Sequence, residues 1–224
     1  MAGRVEGKVA IVVGGGQTPG ETVGNGRATA ILLAREGAKV VVADRSLASA
    51  QDTVDLIAGE GFVASAAEVD ATNEAQVKAL IGLAVERYGR LDILQNNVGA
   101  SIALGDAIAE EMTEEAFDRS FAVNLKTAWL ASKHAVPVLR TFGSGSIVNI
   151  ASLAVLQAYP LVGYKTMKAA VVALTQNMAA AHAKDNIRVN TILPGLMNTP
   201  MAIEARVGQG RPRADVVADR DRRI

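Results

Sequence analysis

VVGGGQTPGETVGNGRATAILLA, Val12 to Ala34, decides how the rest of this chain is read. It opens on an apolar run of strand character and closes on an alanine- and leucine-rich stretch of helical period. Between them lie six glycines and one proline, more loop than a simple strand-to-helix turn requires. A glycine-rich pattern alone is weak evidence: the stretch is either a phosphate cradle carrying an insertion or a flexible surface connection. The flanking sequence separates the two.

Short β-branched runs alternate along the chain with longer alanine-rich segments of helical period, the pattern of repeated βαβ units. The expected strands are Val9–Val13, Lys39–Ala43, Val63–Val69, Ile93–Asn96, Ser146–Ile150 and Arg188–Leu193. The expected helices are Gly26–Glu36, Leu47–Ala58, Glu74–Tyr88, Glu114–Arg140 and Val162–Ala183. The strands are apolar almost throughout rather than alternating, as in a parallel sheet covered on both faces. No repeat or low-complexity block divides the chain, so a single doubly wound α/β domain is expected.

In that setting the glycine loop acquires a function. Glycines let the backbone turn tightly and approach a pyrophosphate, which sits on the N-terminus of the following helix. Gly14 and Gly15 leave the first strand, and Gly24-Asn25-Gly26 opens the helix. The second strand ends at Asp44, where a carboxylate can accept hydrogen bonds from an adenosine ribose and repel a 2′-phosphate. This favours NAD over NADP, although the neighbouring Arg45 could reach such a phosphate. Asp44 could equally cap the next helix ahead of Ser46.

Composition narrows the class of function. The 224 residues are 50% apolar and 21% charged, as in ordinary globular chains. Lysine plus arginine equals aspartate plus glutamate at 23 each, so no basic field points to nucleic acid or membrane. There is no cysteine, which removes disulfides and thiolate chemistry. The start, MAGRVEGK, lacks a signal-peptide core and no run is long enough to span a membrane, so a cytoplasmic protein is expected. His134 and His182 have no partners at metal-ligand spacing and are read as structural or exposed, with no metal site expected. Trp129 and Phe121 are read as packing or interface residues.

YKTMK supplies the candidate chemistry. Tyr164 and Lys168 are four apart, on one face of the last long helix. A tyrosine working as a base near neutrality needs its pKa lowered by about three units, roughly 4 kcal/mol. An adjacent ammonium and a positively charged nicotinamide can stabilise the phenolate. Ser152 follows the fifth strand and so lies at a carboxyl end, where open α/β sheets place ligands.

On these residues the chain resembles the short-chain dehydrogenase/reductase (SDR) family over almost its whole length. The glycine loop resembles the family's Thr-Gly-x-x-x-Gly-x-Gly with five extra residues, Gly14-Gly15 standing in the Thr-Gly place. NNVG, Asn96–Gly99, resembles its Asn-Asn-Ala-Gly element, which brings Asn97 and Gly99 beside the cofactor. The resemblance implies that Asp70 meets the adenine and that Pro194-Gly195 with Thr199 borders the nicotinamide. It implies a catalytic set of Asn124, Ser152, Tyr164 and Lys168, with Asn124 anchoring a water of a proton relay.

The activity this implies is NAD-dependent oxidation of a secondary alcohol or reduction of its ketone. The alternatives are an NADP-linked carbonyl reductase and a non-catalytic dinucleotide-sensing protein; an enoyl reductase fits less well, because that branch spaces tyrosine and lysine further apart. The substrate pocket is expected near Ser101–Ala103, Leu153–Ala158 and Leu196–Ile203, mostly small and apolar, which suits an uncharged hydrophobic or cyclic alcohol. The resemblance further implies a homodimer or homotetramer through the helices Glu114–Arg140 and Val162–Ala183. Residues 1–200 are expected to form the dinucleotide-binding catalytic domain. The charged, poorly periodic residues 201–224 are expected to be an incomplete lid or tail, with Met197 to about Gly210 a mobile lid. No further helix is expected there, the sixth strand is expected to leave an exposed edge, and the chain is expected to be part of a longer protein.

Overall fold

β1 (Val9–Val13) is buried at all five positions, because an uninterrupted VAIVV run can only sit mid-sheet with helices over both faces. A computed structural model describes residues 3–223 and places five further strands beside it, all parallel: β2 (Lys39–Asp44), β3 (Ala64–Glu68), β4 (Ile93–Asn96), β5 (Gly145–Ile150) and β6 (Ile187–Ile192). Their order is β3-β2-β1-β4-β5-β6. Strand order reverses between β1 and β4, which opens a crevice at their carboxyl ends, the place where open sheets of this kind bind ligands.

The period-two alternation of the strands divides the core. Ile11, Val13, Val41 and Ala43 face one layer with Val77, Leu80 and Ile81 of α3 (Glu74–Tyr88). Ala10, Val12, Val40 and Val42 face the other, with Ala30 and Ala34 of α1 (Asn25–Arg35) and Val54 and Ile57 of α2 (Leu47–Gly59). Alanine predominates on α1 because the helix must lie close to the strands.

Three expectations need correction. Glu114–Arg140 is not one continuous α-helix: α4 (Glu114–Phe121) and α5 (Thr127–Thr141) are joined by a wider π turn over Ala122–Lys126. Such a turn adds one residue without disturbing the apolar pattern and is common at functional sites. The tail is not devoid of helix. It forms α7 (Pro200–Val207) and α8 (Arg213–Asp221), with Ile203 and Val216 buried and Arg220 holding α8 to the loop after β6. There Arg220 donates to the Met197 carbonyl and to Asn198 Oδ1, so polar contacts stand in for the missing apolar stripe. Strand ends shift by a residue or more: β3 is only Ala64–Glu68, and β2 runs on to include Asp44. Ile224, the last residue of the expected tail, lies outside the described residues, as do Met1 and Ala2. Among the described residues the outer edge of β6 pairs with no strand.

Candidate active site

The glycine loop is fastened at both ends. Gly14 leaves β1 with φ +80°, a backbone angle that favours glycine, and the N–H groups of Gly14 and Gly15 both donate to the Ala43 carbonyl. At the far end α1 approaches so closely that a β-carbon on Gly26 would lie 1.9 Å from the Gly14 carbonyl oxygen. The residue ahead of α1 is Gly24, no side chain caps the helix, and its first turn carries no acid. Its leading N–H groups therefore meet no competing side-chain anion, which is what a phosphate at this helix end requires.

The intervening residues brace themselves: Gln17 accepts from Gly24 N at 3.0 Å and donates to the Thr22 carbonyl at 3.3 Å. They also reach the tail helices. Arg213 of α8 lies 3.0 Å from Glu21 and 3.3 Å from Glu204 of α7, and Gly20 packs against Pro200.

Asp44 ends β2 as expected, and its carboxylate accepts from Gly16 N and Ser46 N, both at 3.1 Å. The cap of α2 is Ser46, whose hydroxyl accepts from Ser49 N. Each carboxylate oxygen keeps a lone pair for a ribose hydroxyl. Arg45 is exposed and lines, with Asp70 and Gln76, an open cleft of about 510 Å³ beside β3. Asp70 is exposed and holds the turn before α3 through Thr72. Asn97 spans the crevice mouth, donating to the Gly14 carbonyl at 2.9 Å.

The proposed catalytic residues gather on the other side of the crevice. α6 (Val162–His182) carries Tyr164 and Lys168 on one face. The Lys168 amine lies 2.9 Å from the Ile150 carbonyl, 3.2 Å from that of Val98 and 5.7 Å from the Tyr164 ring centre. Burial lowers its pKa to about 8. Burial pushes the Tyr164 phenol up, and a hydrogen bond with Ser152 works against that rise. Ser152 heads the turn Leu153–Val155, and the Pro194 carbonyl after β6 accepts from Leu153 N, tying the two loops together. Gly195 is exposed, whereas Thr199 is buried immediately before α7.

Asn124 lies in the π turn, fully buried. Its amide accepts from Ala100 N at 3.0 Å and donates to the Ala100 carbonyl at 2.8 Å, clamping the loop after β4. A β-carbon on Gly99 would fall 2.9 Å from the Lys168 amine and 3.1 Å from Asn124 Oδ1, so this glycine lets the three elements meet. Reading the sequence did not single out Asp106, which accepts from the backbone of Gly163 and Tyr164. No sequence signal marks a contact across 57 residues. The histidines lie outside the site: His134 lies 3.0 Å from Glu74 and His182 3.6 Å from Asp185.

A family model for the short chain dehydrogenases matches residues 8–210. The chain belongs to the short-chain dehydrogenase family. It is 38% identical over 203 residues to a 7alpha-hydroxysteroid dehydrogenase of Clostridium sardiniense, covering 90% of this chain and 75% of the relative. A cyclohexanol dehydrogenase of Acinetobacter sp. (strain SE19) is 34% identical, with 97% of this chain and 89% of the relative covered. Among solved structures, a 7 alpha-hydroxysteroid dehydrogenase complexed with NADH and 7-oxo glycochenodeoxycholic acid matches with TM-score 0.80 at 34% identity, over 88% of this chain and 73% of that one. The chain is thus an oxidoreductase of a family that works with a nicotinamide cofactor. Among the described residues no helix is long and apolar enough to cross a membrane.

Proposed function

We propose that this dehydrogenase oxidises a secondary alcohol, or reduces the matching ketone, with NAD as the cofactor. The observation that carries the proposal is the placement of Tyr164 and Lys168 at the carboxyl ends of β4 and β5, the amine anchored on the carbonyls of Val98 and Ile150. The cradle fits a dinucleotide: Gly26 packs where any side chain would collide, and no side-chain acceptor competes for the α1 N-terminus. Gly15, Gly24, Asn25 and Gly26 would hold the pyrophosphate, and Asp44 the adenosine ribose. Arg45, Asp70, Asn97, Gly99, Pro194, Gly195 and Thr199 would border the remainder. When bound, the nicotinamide supplies the hydride acceptor or donor.

Ser152 would hold the substrate oxygen within reach of Tyr164. In the reducing direction the half-buried phenol, protonated near neutrality, gives its proton to the developing alkoxide. In the oxidising direction the phenolate takes the hydroxyl proton and needs positive charge beside it, which the protonated Lys168 supplies. Two of the three lysine donors go to carbonyls, leaving one for a ribose hydroxyl. The Asn124 amide donates to the Ala100 carbonyl and to Ser120 Oγ, which leaves only a lone pair of Oδ1 for a water linking Lys168 to solvent.

For the substrate, the names of two relatives point to alicyclic alcohols. A panel of cyclic and acyclic secondary alcohols with NAD, followed at the NADH absorbance, tests the reading. Tyr164→Phe should abolish turnover while leaving NAD affinity within about twofold. A near-normal rate in that variant refutes the mechanism.

A further inference from the structure

We propose that Asp106 is a positioning residue that sets the catalytic end of α6 and the adjoining wall of the substrate pocket. The proposal rests on the reading of Tyr164 as the proton-transfer group.

A helix begins with four N–H groups that have no partner within it. α2, α3 and α4 satisfy one each with the side chain immediately ahead of them, Ser46, Asn73 and Thr113. α6 has Leu161 in that place, which offers no acceptor, and no acid in its first turn. The loop after β4 supplies what is missing. The Ala107 carbonyl accepts from Val162 N at 2.8 Å, Asp106 Oδ1 from Gly163 N at 2.8 Å, and Asp106 Oδ2 from Tyr164 N at 3.0 Å. The carboxylate thus does the work of a helix cap from 57 residues upstream, and it grips the peptide of Tyr164 itself. Its negative charge also suits the positive end of the helix dipole.

Two further contacts show that this is a built arrangement. Gly163 gives the carboxylate its access: a β-carbon there would lie 3.0 Å from Asp106 Oδ1 and 2.7 Å from Met112 Cε. On its other side Asp106 Oδ2 accepts from the Ser101 hydroxyl at 2.7 Å, and that hydroxyl lies 3.5 Å from the Tyr159 hydroxyl. The Tyr159 and Tyr164 rings are 6.0 Å apart. One carboxylate therefore ties Ser101 and Tyr164 into a single frame. Asn124 holds the neighbouring Ala100 from behind. Asp106 donates nothing to the reaction; it fixes where the phenol stands relative to Ser152 and to the pocket.

The test compares Asp106→Ala, which loses both acceptors, with Asp106→Asn, which keeps one oxygen and is the more certain to fold. Each is measured for kcat on an alcohol that the unaltered protein turns over, for NAD affinity by fluorescence, and for backbone hydrogen exchange across residues 161–168. A displacement of the reacting group by an ångström is worth about 100-fold in rate. The expected result is a kcat reduced about 100-fold in Asp106→Ala and partly restored in Asp106→Asn, NAD affinity unchanged, and faster exchange confined to the start of α6. A kcat within threefold of the original, or a kcat that falls in step with NAD affinity and overall stability, overturns the proposal. Turnover by Tyr164→Phe would instead sink the functional reading, while the exchange measurement would still decide whether Asp106 caps α6.

Discussion

Replacing Gly26 with alanine sets two opposed effects against each other. In an ordinary helix the change gains about 1 kcal/mol, because alanine is the better helix former. Here the new β-carbon would stand 1.9 Å from the Gly14 carbonyl oxygen and 2.6 Å from Asn97 Nδ2. Comfortable contact needs roughly 3.5 Å, so the first turn of α1 must retreat about 1.5 Å from β1. Overpacking of this kind costs about 1–3 kcal/mol, and disturbing the hydrogen bond from Asn97 to Gly14 about 1 kcal/mol more. The clash wins, with a net loss of about 1–3 kcal/mol. For a chain of this length that lowers Tm by about 2–12 °C, and the displaced N–H groups should weaken NAD by about tenfold. Gly82 supplies the control: it is an exposed residue of α3 with nothing within 4 Å of its would-be β-carbon, so Gly82→Ala should raise Tm by about 2–3 °C. Thermal melts of both variants and an NAD titration of the first decide the question. If Gly26→Ala melts within about 2 °C of the original and binds NAD equally well, the close packing of helix on strand is not what the cradle depends on.

Lys168 predicts a pH dependence of stability. The unfolded chain keeps this proton up to the ordinary lysine value, 10.5, while burial makes the native state release it at about 8. Between those values the unfolded state binds more protons, so native stability rises with pH by about 3 kcal/mol in all. The original protein should therefore gain on Lys168→Met in denaturant melts between about pH 8 and pH 10, and a constant difference would refute this. Asp44→Asn should reduce the ratio of NAD to NADP affinity at least about tenfold, about 1.4 kcal/mol, and an unchanged ratio would move the discrimination elsewhere. Phe117, Phe121 and Trp129 are 38%, 45% and 43% exposed on α4 and α5, three large aromatic side chains available to a partner copy. Light scattering should find a dimer or larger assembly that Trp129→Glu shifts toward monomer; a monomeric original protein would count against association through this face.

Six parallel strands of a doubly wound sheet were legible in the sequence because buried parallel strands write themselves as uninterrupted apolar runs, VAIVV and VVVA being the plainest; their order was supplied by the structure. β3 was less so: ASAAE is neither β-branched nor wholly buried, and only its pairing with β2 fixes its ends. The π turn at Asn124 was invisible because a single added residue leaves the apolar face intact on either side. α7 and α8 were missed for a different reason. Their docking depends on Arg220, Arg213 and Asn198, and hydrogen bonds between distant polar residues have no periodicity to read. Within the candidate site, the residues that local spacing sets side by side could be read from the sequence: Tyr164 with Lys168, and Asn96 through Gly99. Asp106 was not, since its meaning lies in the unmet donors of a helix far along the chain.

The braced segment after Gly16 bears on how the chain can be altered. Gly14, Gly15 and Gly16 are pinned against Ala43, Val42 and Asp44, and Gly26 against Gly14, so added length at either end would lift α1 off the sheet. Between those points Thr18 and Pro19 are exposed. Doubling a flexible loop costs only about 0.6 kcal/mol in closure entropy, and Gln17 ties the base of this one whatever its tip contains. The tip is therefore a natural splice point, where an epitope or a fluorophore-bearing peptide can be carried without reshaping the proposed phosphate cradle. Because its neighbours are Pro200, Glu204 and Arg213, a reporter placed there would sense the position of α7 and α8.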